Sequence, residues 1–248
     1  IMACLTVSVF LRKGLNMITV RNSQDRGYAD HGWLQSYHSF SFADYYDPRY
    51  MGFRSLRVIN EDRVAVGKGF GLHPHSDMEI ISYVISGALE HKDSMGSHEI
   101  MEAGEVQRIS AGSGIMHSEY CGSKDEPVHF LQIWIMPDER HVRPEYAQAS
   151  FADIRPGNLV LIASKTARDN SLSIHQDADV YAARLGEGGV IDHDVARGRG
   201  VWIQMIEGEL SINNEKTIYT GDGASIDNVD HLMLVASKET HFLLFDMK

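Results

Sequence analysis

The chain has 248 residues, 43% hydrophobic and 23% charged, which is ordinary globular usage with room for one large domain or two small ones. Its 23 basic and 34 acidic residues leave a net charge of −11, and such a balance argues against direct binding to a phosphate backbone. No run approaches the roughly 18–20 apolar residues of a membrane-spanning helix, and two cysteines, Cys4 and Cys121, can build neither a disulfide framework nor a thiolate zinc site, which fits a reducing cytoplasmic setting.

In chain order, the first stretch, Ile1–Leu11, is apolar and is followed by Arg12 and Lys13, the reverse of a secretory signal. Residues 1–16 read as a leader or appended extension ahead of Met17; the alternative is an extra strand, since Leu5, Val7 and Val9 alternate with Thr6 and Ser8. From residue 56 onward, short apolar and alternating runs predict strands at Leu56–Asn60, Glu79–Ser86, Val106–Ile109, Val128–Met136, Leu159–Ala163, Val201–Glu207, Leu232–Ala236 and Phe242–Asp246. Turn residues such as Ser86-Gly87, Asn213-Asn214 and Gly221-Asp222-Gly223 punctuate them, and no long 3.6-residue period appears. The pattern predicts an all-β sandwich or barrel.

The two halves echo each other. Tyr83–His91 and Gln204–Ile212 share a strand, a Gly turn and a second strand, and Gly104–Ile109 matches Gly221–Ile226 at nearly the same offset. This predicts two similar β domains, 17–140 and 141–248, with Arg140–Gly157 and its Pro144 and Pro156 as the linker.

Chemistry concentrates in the first half. His73-Pro74-His75 places two imidazoles on one face of a strand, and His117-Ser118-Glu119 does the same for an imidazole and a carboxylate. Brought opposite one another, they offer a nitrogen and oxygen donor set for a divalent first-row metal such as Fe, Ni, Cu or Zn. Gly67, His73, His75 and Glu79 follow the spacing of the first cupin motif; around His117 the second motif is looser, with Gly112 where proline is expected. Either Glu79 or Glu119 could supply the carboxylate, and the i+2 spacing from His117 favours Glu119.

A more specific likeness decides between them. His31-Gly32-Trp33-Leu34, His38–Ala43, Tyr45-Tyr46-Asp47-Pro48, Met51-Gly52-Phe53, Leu56–Asn60, His73-Pro74-His75 and Ser110–Glu119 together resemble the signature of the pirins, densely from Met17 to about Pro137 and close to the bacterial pirin-like quercetinases. That resemblance implies a bicupin whose N-terminal barrel holds one metal through His73, His75, His117 and Glu119, with Glu79 supporting the site or the fold. It also implies a metal-dependent dioxygenase, Fe(II) preferred and Cu, Ni, Zn, Co or Mn alternatives, that opens the heterocycle of flavonols such as quercetin and releases carbon monoxide. Glu119 would then be both ligand and acceptor of the flavonol hydroxyl proton. Flavonol and dioxygen are the expected partners of a monomer, without nucleic acid or membrane. The competing expectations are a metal- and redox-sensing regulator that binds a transcription factor or other protein, and a metal-free isomerase or epimerase.

Applying the repeat offsets to the four ligands reaches Asp194, Ala196, Leu234 and Ala236, so the second half is expected to carry no metal site. Met51, Phe53, Phe70 and Met116 are candidates for an apolar slot. His129 is expected as a hydrogen-bonded strand residue, His31 and His38 in structural roles, and His91, His98, His141, His175 and His241 at the surface or in loops. Cys121, with no basic neighbour, is expected to be an inert thiol.

Overall fold

The computed structural model describes residues 17–248; the expected leader or alternative strand in residues 1–16 lies outside them. Twelve strands come first: β1 Met17–Arg21, β2 Gly27–Asp30, β3 Leu34–His38, β4 Leu56–Val64, β5 Gly69–His75, β6 Glu79–Ser86, β7 Ala88–Asp93, β8 His98–Glu102, β9 Glu105–Ser110, β10 Ile115–Cys121, β11 Val128–Ile135 and β12 Glu145–Ser150. Ten follow: β13 Leu159–Ser164, β14 Leu172–Ser173, β15 Ala178–Leu185, β16 Val190–Asp194, β17 Gly200–Glu207, β18 Glu209–Ile212, β19 Lys216–Tyr219, β20 Gly223–Asp227, β21 His231–Ala236 and β22 Thr240–Met247. The expected all-β architecture is present as two barrels, each closed by a large and a small sheet.

The front barrel has a seven-stranded sheet in the order β12-β9-β6-β11-β4-β3-β2 and a four-stranded sheet β5-β10-β7-β8. The rear barrel repeats both, as β1-β20-β17-β22-β15-β13-β14 and β16-β21-β18-β19. The two units exchange their outermost strands. β1, which precedes the front barrel, pairs with β20, and β12, which precedes the rear barrel, pairs with β9. The stretch expected as a linker therefore carries β12, an edge strand of the front sheet, and the halves of the chain are not the halves of the fold.

The central strands are apolar on both faces because both faces are covered. In β6, Ile80 and Val84 point into the front barrel, while Ile81 and Tyr83 join Leu131 and Ile133 of β11 in a core shared with Val180, Trp202 and Phe245 of the rear sheet. The two large sheets thus pack face to face, and this is why alternation is faint in the runs that are easiest to recognise as strands. The segment between β3 and β4 crosses that junction: Phe40 and Phe53 lie 4.7 and 6.1 Å from Trp202, and Arg54 Nη2 meets Asp227 at 2.7 Å.

Two other buried groups join the units. Tyr83 Oη and His241 Nε2 are 3.0 Å apart at the junction, so His241 is a buried residue and not a surface one, placed there by the inward alternation of β22. Burial and the nearby charge of Arg184 lower the His241 pKa to about 3. An unfolded histidine takes a proton below about 6.5, whereas this one resists it down to about 3. Its contribution is therefore complete above pH 6.5 and is lost as pH falls. We expect His241→Gln to remove about 2 kcal/mol of the stability difference between pH 8 and pH 5; urea titrations of both proteins at the two pH values check it, and an unchanged difference refutes it.

Candidate metal centre

Alternation turns His73 and His75 of β5 to one face, and His117 and Glu119 of β10 likewise. The two strands pair antiparallel with His117 opposite His73, and the register then slips so that Glu119 lies opposite Phe70, a bulge that re-aims side chains beside the site. Gly69 permits the close approach, since a Cβ there would stand 2.2 Å from the Glu119 carbonyl oxygen. Gly112, at φ 45°, makes the turn into β10, with the Val142 carbonyl 2.1 Å from where a Cβ would be. This is a position that suits glycine in place of the motif's proline.

The three imidazoles converge. Ring centroids are 4.4 Å apart for His73–His117, 4.8 Å for His73–His75 and 4.9 Å for His75–His117, and one nitrogen of each lies within 4.8 Å of the others. Glu119 does not complete a single group of four at that distance among the described residues; it falls instead within 4.8 Å of His117 and His91. Its carboxylate is held by the large sheet. Oε1 accepts from Gln107 Nε2 and, at 3.1 Å, from Ser82 Oγ, and Oε2 accepts from Gln132 Nε2 at 2.7 Å.

His91, expected at the surface, is fully buried: it faces Glu119 across β7 and β10, stacks on Tyr146 at 4.5 Å and sets Nε2 3.0 Å from Asp93 Oδ2. The alternation of buried Leu89 and His91 in β7 is the signal that could have located it. Glu79 is also buried but stands apart from the histidine group, accepting from Ser110 Oγ at 2.7 Å and lying 3.1 Å from Nδ1 of His175 in the rear half. Burial raises its pKa. His129 is hydrogen-bonded to Glu61 at 3.0 Å on the strand, as its sequence position suggested.

Burial, then the neighbouring imidazoles, lower the pKa of His75 to about 4 and that of His117 to about 3. Both are neutral at pH 7, the form in which imidazole binds a metal. His73 directs Nδ1 to the Gly71 carbonyl at 2.7 Å, which leaves Nε2 with its lone pair. His117 is fully buried with neither ring nitrogen hydrogen-bonded. Of the nine buried side-chain N and O atoms without a partner among the described residues, five belong here: both nitrogens of His117, His91 Nδ1, Gln107 Oε1 and Trp134 Nε1. Orphaned imidazole nitrogens in this number fit a metal as the missing partner.

The carboxylate belongs to a longer polar row. Gln107, Ser82, Gln132, Asn60 and His38 stand in register on β9, β6, β11, β4 and β3. Gln107 Nε2 donates to Ser82 Oγ at 2.8 Å, Ser82 Oγ stands 2.7 Å from Gln132 Oε1, which shares with Glu119 the one proton of that hydroxyl, and His38 Nδ1 meets Asn60 Oδ1 at 2.8 Å. The rear sheet holds Ala224, Ile203, Leu244, Tyr181 and Leu161 in the same register. In its small sheet, Leu232, Leu234 and Ile212 occupy the positions of His117, Glu119 and His91 and fill an apolar core. The strand pairing thus matches His117 and Glu119 to Leu232 and Leu234, two residues earlier than the sequence offset reached.

A cavity of about 370 Å³ opens beside His73, His75 and Glu119. Phe70 lines it as expected, together with Leu34, Phe42 and Trp134. The other slot candidates do not: Phe53 packs on Trp202, Met51 is exposed, and Met116 lines a shallow depression beside Pro74. His31 and His38, expected in structural roles, lie on the cavity wall. Burial pushes the Asp62 carboxyl, also on that wall, up to about 7 against the hydrogen bond from Ser36, and the charge of Glu119 adds to the rise.

The pirin family model matches residues 19–135. A quercetin 2,3-dioxygenase of Escherichia coli K12 is 48% identical over 231 residues, covering 93% of this chain and 99% of that protein. The chain belongs to the pirin family. A putative quercetin 2,3-dioxygenase of Pasteurella multocida is 42% identical over 93% of this chain and all of its own length. Residues 161–247 match a quercetinase C-terminal cupin domain, so the two barrels of this pirin form a bicupin. A bacterial pirin from E. coli, solved in complex with nickel(II), superposes with a TM-score of 0.89 at 47% identity, covering 93% of this chain and 99% of that one.

The donors around Glu119 are expected to matter to the fold itself. Gln107→Leu removes one donor from a buried carboxylate and should cost about 1–3 kcal/mol in metal-free protein, read as a lower urea midpoint; an unshifted midpoint would show that the carboxylate finds another partner.

Proposed function

We propose that this pirin is a metal-dependent quercetin 2,3-dioxygenase that opens the heterocycle of a flavonol with dioxygen and releases carbon monoxide. The observation that carries the reading is His117, buried with both nitrogens unpartnered between His73, His75 and Glu119 at the wall of an aromatic-lined cavity. The naming of relatives at 48% and 42% identity supports it.

In this reading His73, His75, His117 and Glu119 hold one metal per chain; the domain that binds it, expected over 17–140, gives β1 to the rear sheet and takes β12 from 141–248, the cupin-like domain without ligands. Iron(II) is the metal we assign, with copper, nickel, zinc, cobalt and manganese compatible with the same donors. When bound, iron(II) would supply a Lewis-acidic, redox-active centre for the flavonol and dioxygen. The residues do the rest. Neutral His75 and His117 keep their lone pairs available at pH 7. Glu119 takes the proton of the flavonol 3-hydroxyl at Oε2, the oxygen that carries one hydrogen bond, while Oε1 is engaged by Gln107 and Ser82. Trp134, Phe42 and Phe70 cover the faces of the flat substrate and exclude water. The free, buried thiol of Cys121 accords with a reducing cytoplasmic setting.

Metal-loaded protein is expected to consume quercetin in air and not under nitrogen, with carbon monoxide evolved. His117→Ala is expected to retain less than about a tenth of the bound metal and to lose at least about a hundredfold in kcat/KM. Elemental analysis and absorbance assays read both. Turnover independent of oxygen, or none with any of the metals named, would refute the assignment.

A further inference from the structure

One wall of the cavity carries polar groups that the histidine cluster does not use. Asp62 on β4 and Ser36 on β3 face each other in register, both buried; Ser36 Oγ donates to Asp62 Oδ1, and Asp62 Oδ2 has no hydrogen bond among the described residues. Beside them lie Asn60 and His38, bonded to each other, and all four line the cavity.

Packing does not call for them. Ala183 and Leu159 hold the matching positions of the rear sheet, opposite Phe242 just as Asp62 is opposite Phe130, and there the same architecture closes on methyl groups. A buried carboxyl and hydroxyl cost more than methyl groups unless something hydrogen-bonds them. Their position says what that something is. Asp62 is one strand over and two residues along from Gln132, the residue that holds Glu119, a backbone separation of roughly 8 Å; Ser36 is one strand further, at roughly 12 Å. Measured along the sheet from the residue that holds Glu119, that span exceeds a single ring and suits the far end of a multi-ring aromatic that reacts beside Glu119.

We propose that Asp62, supported by Ser36, determines specificity by hydrogen-bonding a second hydroxyl at the end of the substrate remote from the histidines, so that the cavity selects polyhydroxylated aromatics over those carrying only the reacting hydroxyl. The inference rests on the flavonol reading and adds to it the substrate class. A carboxyl pairs with a phenolic hydroxyl in either protonation state, as acceptor or as donor, whereas a substrate without that hydroxyl leaves Asp62 Oδ2 without a partner, Oδ1 alone being bonded by Ser36.

The test compares quercetin with 3-hydroxyflavone, which has no other hydroxyl, on metal-loaded wild type, Asp62→Leu, Asp62→Asn and Ser36→Ala. Two ratios are read: kcat/KM in air, and Kd under nitrogen from quenching of tryptophan fluorescence, to which Trp134 on the cavity wall contributes. Wild type is expected to favour quercetin at least about tenfold in both ratios, and Asp62→Leu to compress them to within about threefold. Ser36→Ala and Asp62→Asn, which keep the shape of the wall, should each lower the ratios by about threefold and carry the test should Asp62→Leu fail to fold. Variants that retain the wild-type ratios, or a wild type without preference, overturn this inference and leave the dioxygenase reading standing. A wild type that neither binds nor consumes either flavonol overturns both.

Discussion

An imidazole buried with neither nitrogen hydrogen-bonded is among the more costly things a fold can contain, and His117 is one. Much of the front barrel is arranged around it. None of its three neighbours hydrogen-bonds it: His75 is held neutral, His73 has committed its Nδ1 proton to a carbonyl, and Glu119 is an acceptor already supplied by Gln107, Ser82 and Gln132. A cation between the imidazoles would give the lone pair of each a partner. A metal held there, as proposed, would stabilise the core as well as supply the chemistry, in the sense that binding free energy and folding free energy are shared.

The rear barrel shows how little of this the architecture requires. Strand for strand it repeats the front barrel, yet Leu232, Leu234 and Ile212 stand in place of His117, Glu119 and His91, and a row that is aliphatic but for Tyr181 replaces the polar one. The front interior, by contrast, is divided into two smaller apolar clusters, around Phe130 and around Ile80, with the polar row between them. The duplicated chain has separated two tasks: one copy supplies apolar burial, the other gives up part of it to hold donors and acceptors in register. Because Trp202, Phe245 and Val180 of the rear copy also pack beneath β6 and β11, the apolar barrel stiffens the sheet that carries Ser82 and Gln132.

How much of this the amino-acid order discloses depends on range. Glu79–Ser86 and Val128–Met136 are visible as strands because apolar burial on both faces leaves continuous Ile, Val and Leu. Gly69–His75 and Ile115–Cys121 carry Gly, Pro, His and Glu, and as strands are ambiguous, but their i, i+2 pairs expose the ligands. Glu145–Ser150 hides as a linker because it is itself an edge strand whose partner, β9, comes 35–45 residues earlier, and its partly exposed Ala and Gln carry no strong period. His91 escapes notice for a similar reason: what buries it is Tyr146 on that same strand. The polar row is the least legible element, since its five residues come from five strands and mean something only in register.

The segment between β3 and β4 explains why a signature so far from the histidines in sequence belongs with them. Phe40 and Phe53 are fixed in the junction against Trp202, and between them Phe42 and Tyr45 turn back to wall the cavity. Arg21, from the exchanged strand β1, donates to Tyr45 Oη at 2.6 Å and lies 3.9 Å over the ring of Tyr50. A strand of the rear sheet thus sets the position of the front cavity's wall. Buried at 2% exposure, that guanidinium has little freedom, and Gly27 leaves no room for a side chain under the Tyr45 ring. The strand exchange accordingly does more than join two barrels: it makes the shape of the cavity depend on their docking, so a loss of packing at the junction reaches the aromatic wall before it reaches the histidines on the small sheet opposite.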